Sequence, residues 1–73
     1  MPKLPLISGA EMIKILNRKG YTQIRTRGSH VRLHPPDSLA NAKKVTVPLH
    51  KQLKRGTLFS IMKDACLALE DLK

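Results

Sequence analysis

The chain has 73 residues, 14 Lys and Arg against 5 Asp and Glu, three histidines and a formal charge of +9. Its length allows one domain over residues 1–73, with a thin core between a sheet and one or two helices and no deep substrate cavity. The apolar residues come in short interrupted runs, so no segment reaches the ~20 needed to span a bilayer.

The start of the chain, Met1 followed by Pro2-Lys3-Leu4-Pro5, lacks the long apolar segment and small-residue cleavage site of a secretory leader. The single cysteine, Cys66, cannot close an intrachain disulfide and suits a reducing cytoplasm. Charge is concentrated: residues 21–34 and 45–56 each carry +3 and contain no acid, so they hold +6 of the +9. A polyanion is the expected partner.

Ser8-Gly9-Ala10-Glu11 has the Ser and Glu three apart that satisfy each other's amides at a helix start, with Ile7 and Met12 as the hydrophobic staple. Met12, Ile13, Ile15 and Leu16 follow, and Arg18-Lys19-Gly20 reads as the end, which predicts a helix over about 9–19. From Tyr21 the period becomes two. Thr22, Ile24 and Thr26 alternate with Gln23, Arg25 and Arg27 as a first strand; after Gly28, Val31 and Leu33 alternate with His30, Arg32 and His34 as a second, paired as a hairpin.

Pro35-Pro36 ends that strand and residues 37–43 read as a loop; Val45 and Val47 then alternate with Lys44 and Thr46 until Pro48. Leu58, Ile61, Met62, Ala65, Leu69 and Leu72 recur at three and four, which predicts a second helix from near Thr57 to Asp71, with Gly56-Thr57 at its start. On that helix Leu67 lies opposite the stripe and Phe59 near its edge, and Cys66 falls on the buried side as an inert thiol.

This order predicts an α+β fold, helix-strand-strand-strand-helix, with both helices on one face of a three-stranded antiparallel sheet. If Ile24, Val31, Leu33, Val45 and Val47 point at the helices, the open face carries Gln23, Arg25, Arg27, His30, Arg32, His34, Lys44 and Thr46. Solvated faces usually mix signs; this one has three arginines, a lysine and no carboxylate, which points to nucleic acid. Lys51, Lys54 and Arg55, just before the second helix, add phosphate contacts.

His30, beside Gly28-Ser29 and among guanidinium groups, has the surroundings of a general base for a ribose 2′-hydroxyl, the arginines stabilising charge on the phosphate. From composition alone, a surface histidine that only hydrogen-bonds a base or a water is the weightier reading of that position. His30 and His34 are four steps of ~3.3 Å apart, or ~13 Å, too far to share one zinc ion. With no cysteine or carboxylate cluster near His50, neither a metal site nor any other cofactor is expected. Ser29 reads as a turn residue without a base and acid pair.

Three ordered motifs carry a resemblance: Gly28-Ser29-His30, then Val45-Thr46-Val47-Pro48-Leu49-His50, then Gly56-Thr57-Leu58 leading into the last helix. With the Ser8–Leu16 helix, the Gly20-Tyr21 junction and Arg25 two residues before Arg27-Gly28, the chain resembles, over nearly its whole length, the HicA family of small toxin ribonucleases. The resemblance implies a fold like a double-stranded RNA-binding domain, metal-independent cleavage of mRNA, and neutralisation by a HicB-type antitoxin. It makes His30 the active histidine, with Ser29 and His50 as accessory residues. Relatives follow that histidine with a second His or a polar residue, whereas this chain has Val31, which faces inward by alternation. Two other readings are a non-catalytic double-stranded RNA-binding module and a basic subunit of a larger assembly that docks through Leu67 and Phe59.

Overall fold

The computed structural model describes residues 6–72, so the reading of Met1 to Pro5 lies outside the described residues. The elements are α1 (Gly9–Arg18), β1 (Thr22–Arg27), β2 (His30–His34), β3 (Val45–Pro48), α2 (Arg55–Ala65) and a short 3-10 turn, Leu69–Leu72. The three strands form one open antiparallel sheet in the order β1-β2-β3, which is the expected α+β architecture. No helix among the described residues is long and apolar enough to cross a membrane.

The first helix starts as its sequence demands. The Ser8 hydroxyl accepts the Glu11 amide at 3.1 Å, and the Glu11 carboxylate accepts the Ser8 amide at 3.1 Å. Met12, Ile15 and Leu16 are buried on its inner side, and Ile7, the staple partner of Met12, is buried with them. Both helices pack on β3. The inner row of the sheet, Val31 and Leu33 on β2 facing Val47 and Val45 on β3, is buried, while His30, Arg32, His34 and Thr46 between them are exposed. That alternation is the period-two pattern of a half-covered strand pair.

The helix-to-sheet packing depends on a residue without a side chain. A Cβ at Gly9 would lie 2.0 Å from the Pro48 carbonyl oxygen and 3.0 Å from the Leu49 Cα. Gly9 also donates its amide to the His50 carbonyl at 3.0 Å, and Leu53 donates to the Ile7 carbonyl at 2.9 Å. The end of β3 and the turn after it are therefore clamped to the start of α1. Tyr21 holds the long β2–β3 loop: buried, it donates its hydroxyl to the Lys43 carbonyl at 2.8 Å. Burial, and then the negative neighbours Cys66 and Asp64, push its phenol above the ordinary range.

Three expectations need correction. β1 is exposed at all six positions, and Ile24 is 51% exposed instead of facing the helices. The ladder pairs Gln23 with Leu33 and Arg25 with Arg32, with the irregularity between them at Ile24. This bulge inserts one extra residue, so Gln23 leaves the open face, opposite the inward Leu33, and the helices' main packing is on β3.

Second, α2 begins at Arg55 and stops at Ala65, because Cys66 turns left-handed (φ 56) and the Leu67 amide donates to the Met62 carbonyl at 2.8 Å. This closing motif usually has glycine at the left-handed position. The apolar spacing nonetheless continues, since Leu72 returns to the core from the 3-10 turn. Third, the same turn exposes Cys66 and buries Leu67, so Leu67 offers no partner surface. Phe59 stays 53% exposed.

Two predictions follow from these contacts. Gly9→Ala improves helix propensity yet is expected to destabilise the fold by at least about 2 kcal/mol in urea unfolding, because the new methyl overlaps backbone. The second concerns Asp71, whose carboxylate accepts Lys19 Nζ at 2.8 Å and the Ala68 amide at 2.8 Å; the lysine and then the amide hold it below the usual carboxylate range. A depressed carboxylate contributes stability above its unfolded value of about 3.9 and loses it as pH falls through the folded value. Protection of the Leu69–Leu72 amides, taken relative to the unfolded chain at each pH, is therefore expected to fall on acidification below about pH 4, and Asp71→Asn to remove that pH dependence.

Candidate nucleic-acid interface and active histidine

The site is built on the hairpin. Gly28 has φ +59 and Ser29 has negative φ, the signature of a two-residue turn with glycine at its first position, whose twist matches the flanking strands. This sets Arg27 opposite His30 and, one pair in, leaves Thr26 opposite Val31 and Arg25 opposite Arg32. Paired residues share a face, so Arg25, Arg27, His30 and Arg32 all emerge on the side away from the helices. From β3, Thr46 pairs with Arg32 and Pro48 with His30.

These residues enclose one open cavity of about 150 Å³, lined by Arg25, Arg27, His30, Arg32 and Thr46. Ligand pockets usually exceed about 300 Å³, so this one matches a phosphodiester group better than a whole base. Its charged lining is entirely cationic. His30 stands at the end of β2 with its side chain exposed, tied by register to both neighbouring strands. The turn beside it is fixed as well: the Leu49 amide donates to the Ser29 carbonyl at 2.6 Å.

The remaining candidates lie outside the cavity lining. Lys44 is exposed immediately before β3. His34 is exposed at the opposite end of β2, paired with Thr22, and stands apart from His30. Ser29 and His50 are exposed, and each contributes its carbonyl to a backbone tie, Ser29 to Leu49 and His50 to Gly9. Lys51, Lys54 and Arg55 are exposed where the chain passes from β3 to α2; Lys54 is the N-cap and makes no side-chain cap bond. Among the described residues no group of three or more His, Cys, Asp or Glu converges to hold a metal ion.

Thr46 is the lining residue whose role the sequence left unassigned. Alternation places it on the open face, but a threonine carries no signal of its own in a strand where it is favoured by shape.

The motifs that suggested a family thus fall on the turn bearing His30, on β3 with its clamped exit, and on the start of α2. A family model described as "HicA toxin of bacterial toxin-antitoxin" matches residues 9–67, from the first residue of α1 to the residue that closes α2. The chain belongs to the HicA toxin family. As a member it is the toxin of a toxin–antitoxin pair, and an antitoxin is its implied partner. No curated protein and no solved structure matches the chain.

The electrostatics of the HicA face generate a prediction. Each phosphate neutralised on a single strand contributes about 0.7 to the slope of log affinity against log salt. Replacing Arg25 and Arg32 together by glutamine is expected to lower that slope by about 1.4 in titrations with single-stranded RNA, with the melting temperature unchanged because both side chains are exposed. An unchanged slope would place the phosphate contacts elsewhere.

Proposed function

We propose that this HicA-family toxin is a metal-independent endoribonuclease that cleaves mRNA in the cytoplasm, with His30 as its general base. The observation that supports this reading is the convergence of one exposed imidazole and three guanidinium groups on a single cavity that contains no acid. His30 accepts the proton of a ribose 2′-hydroxyl. The 2′-oxygen attacks the adjacent phosphorus, the bond to the 5′-oxygen breaks, and that oxygen takes its proton from water, which the open cavity admits. The products are a 2′,3′-cyclic phosphate and a free 5′-hydroxyl.

Arg25, Arg27 and Arg32 hold the phosphate and stabilise the extra negative charge of the transition state, the type of preorganised stabilisation that contributes most in such sites. Lys44, Lys51, Lys54 and Arg55 extend phosphate contacts along the strand, and Ser29, in the turn beside His30, and His50, at the exit of β3, act as accessory residues. A shallow face suits single-stranded or locally opened RNA, whose backbone it can follow without a pocket for each base. DNA is bound but spared, because it lacks the 2′-hydroxyl. A HicB-type antitoxin neutralises the toxin by covering this face.

The competing reading is a non-catalytic double-stranded RNA-binding module, favoured by the exposed Lys51, Lys54 and Arg55 cluster beside a helix. Purified protein with synthetic RNA separates them. Wild type is expected to release cyclic-phosphate ends in EDTA, and His30→Ala to lose cleavage by at least a hundredfold while binding RNA within about threefold of wild type. Intact RNA after incubation with wild type supports the module instead. Equal cleavage by both forms removes His30 from the chemistry.

A further inference from the structure

β1 is the least covered element of the molecule. Among the described residues all six of its positions are exposed, its one strand partner is β2, and the helices pack on β3. Beyond the β1–β2 ladder, no backbone hydrogen bond of Thr22–Arg27 is found among the described residues. An antiparallel ladder uses the backbone groups of alternate residues. Arg27 and His30 close the two-residue turn as a bonded pair, so the next residue, Thr26, directs its N–H and C=O away from β2. At the bulge in the middle of this edge, Ile24 offers its side chain to solvent.

Such an edge is a template for another strand. Charge limits what it accepts. The sequence contains no acid between Glu11 and Asp37, and β1 carries Arg25 and Arg27. Two copies of this chain pairing through β1 would set arginines against arginines, which is destabilising, whereas a strand with Asp or Glu at alternate positions pairs favourably. The arginines thus disfavour self-pairing while leaving an acidic strand admissible.

We propose that the antitoxin docks by adding an acidic strand to β1, with an apolar side chain over Ile24. The extended sheet would carry the antitoxin's carboxylates beside Arg25 and Arg27, at the rim of the cavity, so that docking itself excludes RNA. This inference rests on membership of the toxin family and its antitoxin partner; it holds whether or not His30 performs catalysis.

The test uses the full chain and the antitoxin of the same pair. Amide exchange at β1 is followed by NMR, free and in the complex, and affinities are measured by calorimetry for wild type and Ile24→Ser. The expected result is at least tenfold slower exchange of the Thr26 amide in the complex. Ile24→Ser is expected to bind about tenfold more weakly, with unchanged melting temperature and RNA affinity. The proposal is overturned if Thr26 exchanges equally fast in both states, if Ile24→Ser binds as wild type does, if the antitoxin does not bind, or if sedimentation shows that the chain dimerises through β1. Absence of RNA cleavage would count against the nuclease reading and leave these readouts unaffected.

Discussion

The pairing of Val31 and Leu33 with Val47 and Val45 fixes which way every other side chain on β2 and β3 points. Fully burying one such side chain is worth about 1.5–3 kcal/mol. A slip of one residue would turn all four outward and would bring His30, Arg32 and Thr46 under the helices, at a cost on the order of the whole stability of a small domain. The cationic face is therefore not a separate construction. It is the reverse side of the core, and its polarity is held by the same four residues that keep the sheet on α1 and α2. The clamp of Gly9 against Pro48 acts in the same direction, because it fixes where β3 ends and hence what stands opposite His30.

That constraint weakens toward β1. Exposed at all six positions, β1 has no buried row to pin its register, and the bulge there leaves an isoleucine exposed. The two ends of the sheet thus serve different requirements. β3 is held by helices and by three backbone ties around its exit, while β1 presents charge and unpaired backbone to whatever approaches. Arg25 and Arg27 reach the cavity from this freer strand, opposite His30 and Arg32 on the anchored one. The cavity is thus lined across that boundary, by His30 and Arg32 from the anchored strand and by Arg25 and Arg27 from the freer one.

Much of this was legible before the structure because the decisive signals were local or strictly periodic. The Ser8 and Glu11 spacing specified a helix start, and the alternation through residues 30–34 and 45–47 specified a half-covered sheet with His30 outside. Pattern and structure part where the chain breaks its period without a characteristic residue. At Ile24 the alternation continued on paper, but strand parity carries no mark of a bulge when the edge is uncovered. At Cys66 a left-handed residue closed α2 where no glycine announced it, and the apolar spacing ran on into the 3-10 turn because both elements feed one core. The convergence of Arg25, Arg27, His30, Arg32 and Thr46 on one cavity needed the register of two strand pairs, which no single segment contains.

The central claim is that the chain meets nucleic acid through the His30 side of the sheet, and an NMR titration of the full chain with a single-stranded 2′-deoxy oligonucleotide tests it most directly, since that ligand has no nucleophile and cannot be cleaved. The account predicts that the His30 ring and the Arg25, Arg27 and Arg32 side-chain resonances shift together and saturate at one concentration, while the Val31, Leu33 and Val47 methyls stay in place. Shifts confined to Lys51–Arg55 and the exposed side of α2, with the His30 ring unmoved at saturation, would contradict it.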